Sequence, residues 1–179
     1  MCALSACRDG IRAGSAEARL GYRRDVMQRL ETLVPPPALA AAIGVLMWLA
    51  APPLARQAES QSVRLGLAAA MAAAGAAIAL AGIRAFRRAR TTIDPHRPQR
   101  ASTLVTGGIY RLTRNPMYVG VSLVLVGLCA WLWWGPALAG PLLFVAYITR
   151  FQIMPEERAL HAAFGDRYDA YRRRVRRWL

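Results

Sequence analysis

Charge drops out of this chain in three long runs, and that constrains its fold more than any other feature. Residues 32–55, 65–83 and 115–149 contain no Asp, Glu, Lys or Arg. A helix crossing the bilayer core needs about 20 mostly apolar residues. The first two runs therefore fit one span each. The third is too long for one, and Gly135-Pro136 divides it. The economical reading is an all-α integral membrane bundle of about four transmembrane helices, at 36–54, 65–83, 117–134 and 137–154. A cytoplasmic loop over 84–116 and a C-terminal helix over 155–172 complete a membrane domain spanning 35–179, behind a polar arm at 1–34.

Orientation follows from arginine. The sequence has no lysine, so all 24 basic residues are arginine. Six lie in the arm, two between the first and second spans, eight from 84 to 114, none between the third and fourth, and eight from 150 to 177. Basic loops stay cytoplasmic, so this order predicts an even number of spans with both termini inside. The net charge of +14 then reads as topology plus attraction to anionic lipid headgroups, and not as a nucleic-acid footprint. Three cysteines set no disulfide framework. Roughly 35 residues precede the first span, so it does not read as a cleaved signal.

Within the arm, Leu20, Met27, Leu30 and Val34 fall near one helical face, which fits an interfacial helix from about residue 16 as well as a loosely ordered tail. The second span is nearly all Ala, Gly, Leu and Ile. Small residues let helix backbones approach closely, which predicts a central place in the bundle. The loop after it carries TTIDPHRP, whose Pro95 and Pro98 forbid a regular helix. In the C-terminal block, Glu156, Leu160, Phe164, Tyr168 and Tyr171 recur at intervals of four, four, four and three, placing them on one helical face. That stripe begins with a carboxylate, and a carboxylate turned inward needs a partner.

Asn115-Pro116 is a helix start, with Asn as N-cap and Pro at the first helical position. A helix N-terminus also presents free N–H groups to a ligand. Gly107-Gly108 just upstream lets the backbone turn or approach a ligand closely. Tyr110, Arg111, Arg114 and Tyr118 are each ordinary at a membrane interface; together they can hold an anionic group and stack on a planar ring. Glu157 reads as a negative first turn of the last helix. The only histidines are His96 and His161, so no His-rich metal centre is expected. No glycine-rich nucleotide motif or Ser-His-Asp constellation is present.

The stretch STLVTGGIYRLTRNPMYVG at 102–120 resembles the cofactor loop of the isoprenylcysteine carboxyl methyltransferase and phospholipid methyltransferase superfamily. The block EERALHAAFGDRYDAYRRRV at 156–175 resembles that family's tail, in the same order and separation. The resemblance covers about 85–179. It implies a bacterial inner-membrane methyltransferase using S-adenosylmethionine, with no metal. By the same resemblance Leu104, Val105, Tyr110, Asn115, Pro116, Met117, Tyr118 and Glu156 would bind the cofactor. Arg150, Gln152 and Glu157 would lie toward the acceptor, a membrane lipid or other hydrophobic molecule offering a carboxylate, thiol or amine. The prenylcysteine branch has histidine where this chain has Asn115, which weakens the case for that acceptor. The other class left open is a non-catalytic membrane scaffold or lipid-binding protein that retains the fold.

Overall fold

The protein is described by a computed structural model over residues 34–53, 61–89 and 103–179. The arm before Val34, with its expected interfacial helix, lies outside these residues, as does the TTIDPHRP segment. Among the described residues every regular element is helical and no strand occurs.

Helix α1, Pro36–Ala50, opens on proline, which loses no hydrogen bond where the first N–H groups have no intrahelical partner. Only Met47 is buried in it, while Leu46 and Leu49 are exposed. Helix α2, Gln61–Arg88, has 28 residues and is about 42 Å long. It overruns the expected span at both ends, and the loop correspondingly begins later than residue 84. Arginine is a good helix former whose long stem lets its head reach the polar layer, so Arg84, Arg87 and Arg88 do not stop the helix.

Helix α3, Pro116–Leu132, packs along α2 through residues with almost no side chain. A Cβ added at Gly75 would collide with the carbonyl oxygen of Gly120, and one at Gly120 with the carbonyl oxygen of Gly75. A Cβ at Gly127 would lie 3.1 Å from the Ala68 carbonyl, and one at Gly82 would lie 3.2 Å from Met117 and Pro116. Ala68, Gly75 and Gly82 are seven apart, as are Gly120 and Gly127, the spacing that keeps one seam facing a partner along two helices. The expected central place for this glycine- and alanine-rich helix is not observed. Helix α3 is the hub, meeting α1, α2 and α4, whereas α2 packs on α3 and is mostly exposed elsewhere. Small residues permit close approach to one neighbour; they do not demand several.

Trp133 closes α3 in the left-handed conformation at φ 47°. A 3-10 turn at Gly135–Leu138 then leads into α4, Ala139–Ile148. The Trp48 and Trp131 rings stack at 4.7 Å, and Gly140 fits directly against the Met47 sulfur. Helix α4 runs through a π-helical turn at Thr149–Ile153 into α5, Met154–Phe164. Pro155 explains that turn: it has no N–H to return to Phe151 and would crowd that carbonyl, and wider i+5 bonding relieves both.

The single C-terminal helix expected over 155–172 is two helices. Gly165, at φ 50° and ψ −126°, separates α5 from α6, Asp166–Arg174. That conformation suits glycine, which has no Cβ to clash. By length and composition α2 and the continuous stretch Gly135–Phe164 could each cross a membrane; α1 and α3 are shorter apolar helices.

Candidate functional site

The site forms where the loop before α3, the first turn of α3 and helices α5 and α6 meet. Gly108 adopts φ 60°, starting a 3-10 turn, Gly108–Arg111, that buries Tyr110. The Tyr110 ring meets Phe86 of α2 edge-on at 5.4 Å, and its carbonyl accepts the Tyr171 hydroxyl at 2.8 Å. Burial, chiefly, pushes both hydroxyls well above the usual phenol range. Tyr168 is shifted the same way by the same cause. All three stay protonated, and Tyr171 donates its hydrogen to the Tyr110 carbonyl.

Asn115 stands at the head of α3 as expected, but its side chain does not cap the helix. Its amide Nδ2 instead donates to the main-chain carbonyl of Arg177 at 2.9 Å. Its backbone, at φ −130° and ψ 55°, lies outside the extended conformation usual for a capping residue. Residues 175–179 run back over the loop here. The Arg176 carbonyl accepts the Arg114 N–H at 3.0 Å, and the Arg177 carbonyl also accepts the Thr113 hydroxyl at 3.2 Å.

The adjacent carboxylates of α5 have different partners. Glu156 Oε1 accepts two neutral donors, the Tyr118 hydroxyl and the Gln152 amide, each at 2.8 Å. Among the described residues no cation pairs with it. Glu157 sits between two arginines, with Arg114 Nη1 at 3.0 Å from Oε1 and Arg177 Nη2 at 2.6 Å from Oε2. Arg177 Nε donates to Oε1 at 3.0 Å as well. This bond, first, raises the Arg177 pKa. The Arg114 and Glu157 side chains are only 10% and 12% exposed. Arg114 also reaches the Tyr168 hydroxyl at 3.3 Å, yet its Nε is buried without a hydrogen-bond partner among the described residues.

These groups surround a cavity of about 100 Å³. All eight residues expected to hold the cofactor line it, and so does Glu157. Gln152 does not line the cavity but holds Glu156 from behind; Arg150 does not line it either, its guanidinium lying over the Phe151 ring at 5.4 Å. One wall is apolar, from Phe86, Met117, Ile153 and Leu160. Phe86 and Ile153 had no sequence signal beyond being apolar. An open cleft of about 620 Å³ adjoins across Leu104 and Tyr171, and Arg111, Arg167 and Arg174 contribute to its walls. Among the described residues no group of His, Cys, Asp and Glu could hold a metal ion.

Residues 63–167 match the family model described as phospholipid methyltransferase. The match runs from the start of α2 to the start of α6. A protein of Haemophilus influenzae, described as an uncharacterized protein, is 46% identical over 66 residues, which is 35% of this chain and 100% of that protein. No solved structure matches the chain.

Proposed function

We propose, from the premise that this chain belongs to the phospholipid methyltransferase family, that it transfers a methyl group from S-adenosylmethionine to a lipid-like or small hydrophobic acceptor at the membrane. The carrying observation is Glu156, a carboxylate at the cavity whose hydrogen bonds among the described residues come from two neutral donors. A carboxylate so placed favours a cationic ligand. The Nε of Arg114, buried without a partner among the described residues, favours an anionic group beside it. The amino-acid end of the cofactor carries one charge of each sign, so these residues fit it. The smaller cavity, which Glu156 and Arg114 line, suits that polar end, and the adjoining cleft offers room for the remainder.

When bound, the cofactor supplies a methyl group already activated on a sulfonium. The protein has to orient donor and acceptor and keep water away. Tyr118 and Gln152 fix the Glu156 carboxylate, and the apolar wall of Phe86, Met117, Ile153 and Leu160 excludes water. A carboxylate or thiolate acceptor brings its own free lone pair, so no general base is required of the chain.

The membrane arrangement belongs to the same proposal. Helices α1, α2 and α3 and the continuous stretch Gly135–Phe164 that contains α4 make four spans of one membrane domain, 35–179, in a bacterial inner membrane. Both termini and the loop before α3 face the cytoplasm, where the arginines concentrate. The acceptor enters from the bilayer and the donor from the cytosol. Anionic headgroups are the other partner, at the arginine-rich face. Cysteines placed singly at Thr106 and Gly135 in a cysteine-free background should label from opposite sides, with Thr106 protected in intact cells.

Calorimetric titration of the purified protein with S-adenosylmethionine tests the central claim, and saturable binding is expected. A labelled-methyl screen over membrane lipids, thiols and prenylcysteine analogues then identifies the acceptor. No heat of binding to the folded protein would reject the enzymatic reading.

A further inference from the structure

We infer that residues 175–179 form a strap fastening the loop before α3 onto α5, with Arg177 as the positioning residue for cavity groups it does not join. This rests on the cofactor reading only for what those groups bind. The chain leaves α6 at Val175, which is extended and buried, and Trp178 packs against the buried core. An apolar anchor therefore stands on each side of Arg177. Between the anchors the carbonyls of Arg176 and Arg177 collect three donors from the loop: the Arg114 N–H, the Thr113 hydroxyl and the Asn115 amide. These partners are more than 60 residues apart in sequence, so no local preference forms the junction.

The strap determines which atoms the cavity presents. A carbonyl can only accept, so the NH₂ end of Asn115 must face Arg177. Its oxygen and second amide hydrogen are left for a ligand, and the amide cannot flip without losing the bond. The Arg177 side chain does the same for Glu157, gripping both carboxylate oxygens in a fork. Glu157 in turn holds one end of the Arg114 guanidinium. Arg177 thus fixes Asn115 through its main chain, Glu157 through its side chain, and Arg114 at one remove.

The test uses the full-length purified protein in lipid nanodiscs and compares wild type with Arg177→Ala, Arg177→Lys and Arg173→Ala. Arg173 is exposed on α6 and serves as a charge-matched control. Amide hydrogen exchange reports on the strap without any ligand. In Arg177→Ala, exchange over 104–118 should quicken about tenfold while the middle of α3 is unchanged. Titration with S-adenosylmethionine should show about tenfold weaker binding. Arg177→Lys should recover part of both, since it keeps the charge but loses the fork, and Arg173→Ala should match wild type. Should the alanine variant not accumulate, Arg177→Gln supports the same comparison. Unchanged loop exchange in the neutral variant, or an equal change in Arg173→Ala, would overturn the strap. Quickened exchange in a protein whose wild type binds no cofactor would leave the strap standing and reject the cofactor reading instead.

Discussion

The body of α3 and the approach to its start are held by opposite means. Toward its middle, α3 meets α2 through Gly75, Gly120 and Gly127, where side chains are missing. At its start and in the loop just before it, hydrogen bonds join residues 38 to 64 positions apart. Lipid tails are as apolar as leucine, so helices within a bilayer gain little from burying large apolar groups against each other; close backbone contact takes over. Where water can compete, one hydrogen bond contributes little, and several must close together. The first junction should therefore fail when atoms are added, and the second when they are removed.

The largest expected effect is an addition. Gly75→Leu forces α2 off the Gly120 carbonyl and should destabilise the fold by about 3 kcal/mol, read as the midpoint of unfolding in detergent. Wild-type stability would mean the helices are not in backbone contact. Next comes the contrast between the carboxylates. Glu156→Gln should weaken S-adenosylmethionine binding about ten- to a hundredfold with little change in unfolding midpoint. Glu157→Gln should instead cost roughly 2 kcal/mol of stability, because it leaves two arginines facing each other and one of them is partly solvated. If the two variants behave the other way round, the roles of these neighbours are exchanged.

Asn115 sharpens the comparison further. Asn115→Asp would set a carboxylate against the Arg177 carbonyl and should weaken cofactor binding about tenfold. Asn115→His keeps a donor for that carbonyl and should retain measurable binding; equal titrations for wild type and Asn115→Asp would remove Asn115 from the site. The smallest effect is Tyr171→Phe, which deletes one hydrogen bond to the Tyr110 carbonyl and should cost about 1 kcal/mol, seen as a small fall in unfolding midpoint.

Features set by local chemistry could be read from the sequence. The charge-free runs, the break at Gly135-Pro136 and the start of α3 at Pro116 all depend on residue types acting within a turn or two. The eight residues that share the cavity were named from the resemblance of two sequence blocks, not from periodicity. The break at Gly165 was hidden because intervals of three and four continue across it, even though the helix does not. The place of α2 was misjudged because a small side chain records how closely a neighbour can come, not how many neighbours there are. The strap left no trace, since its acceptors are main-chain carbonyls, which every residue possesses.

The π-helical turn at Thr149–Ile153 acts as a phase shifter. Each residue in an α-helix advances the side chain by about 100°, and the wider turn holds one residue more than a regular turn would. Everything beyond it is therefore rotated relative to α4, and the azimuth of Glu156 is set upstream, inside the apolar segment. Rewinding the same residues as a regular α turn would leave the length and apolar character of the span nearly unchanged. It would also swing Glu156 about a quarter of a revolution away from Tyr118, dismantling the site with every side chain that lines it unchanged.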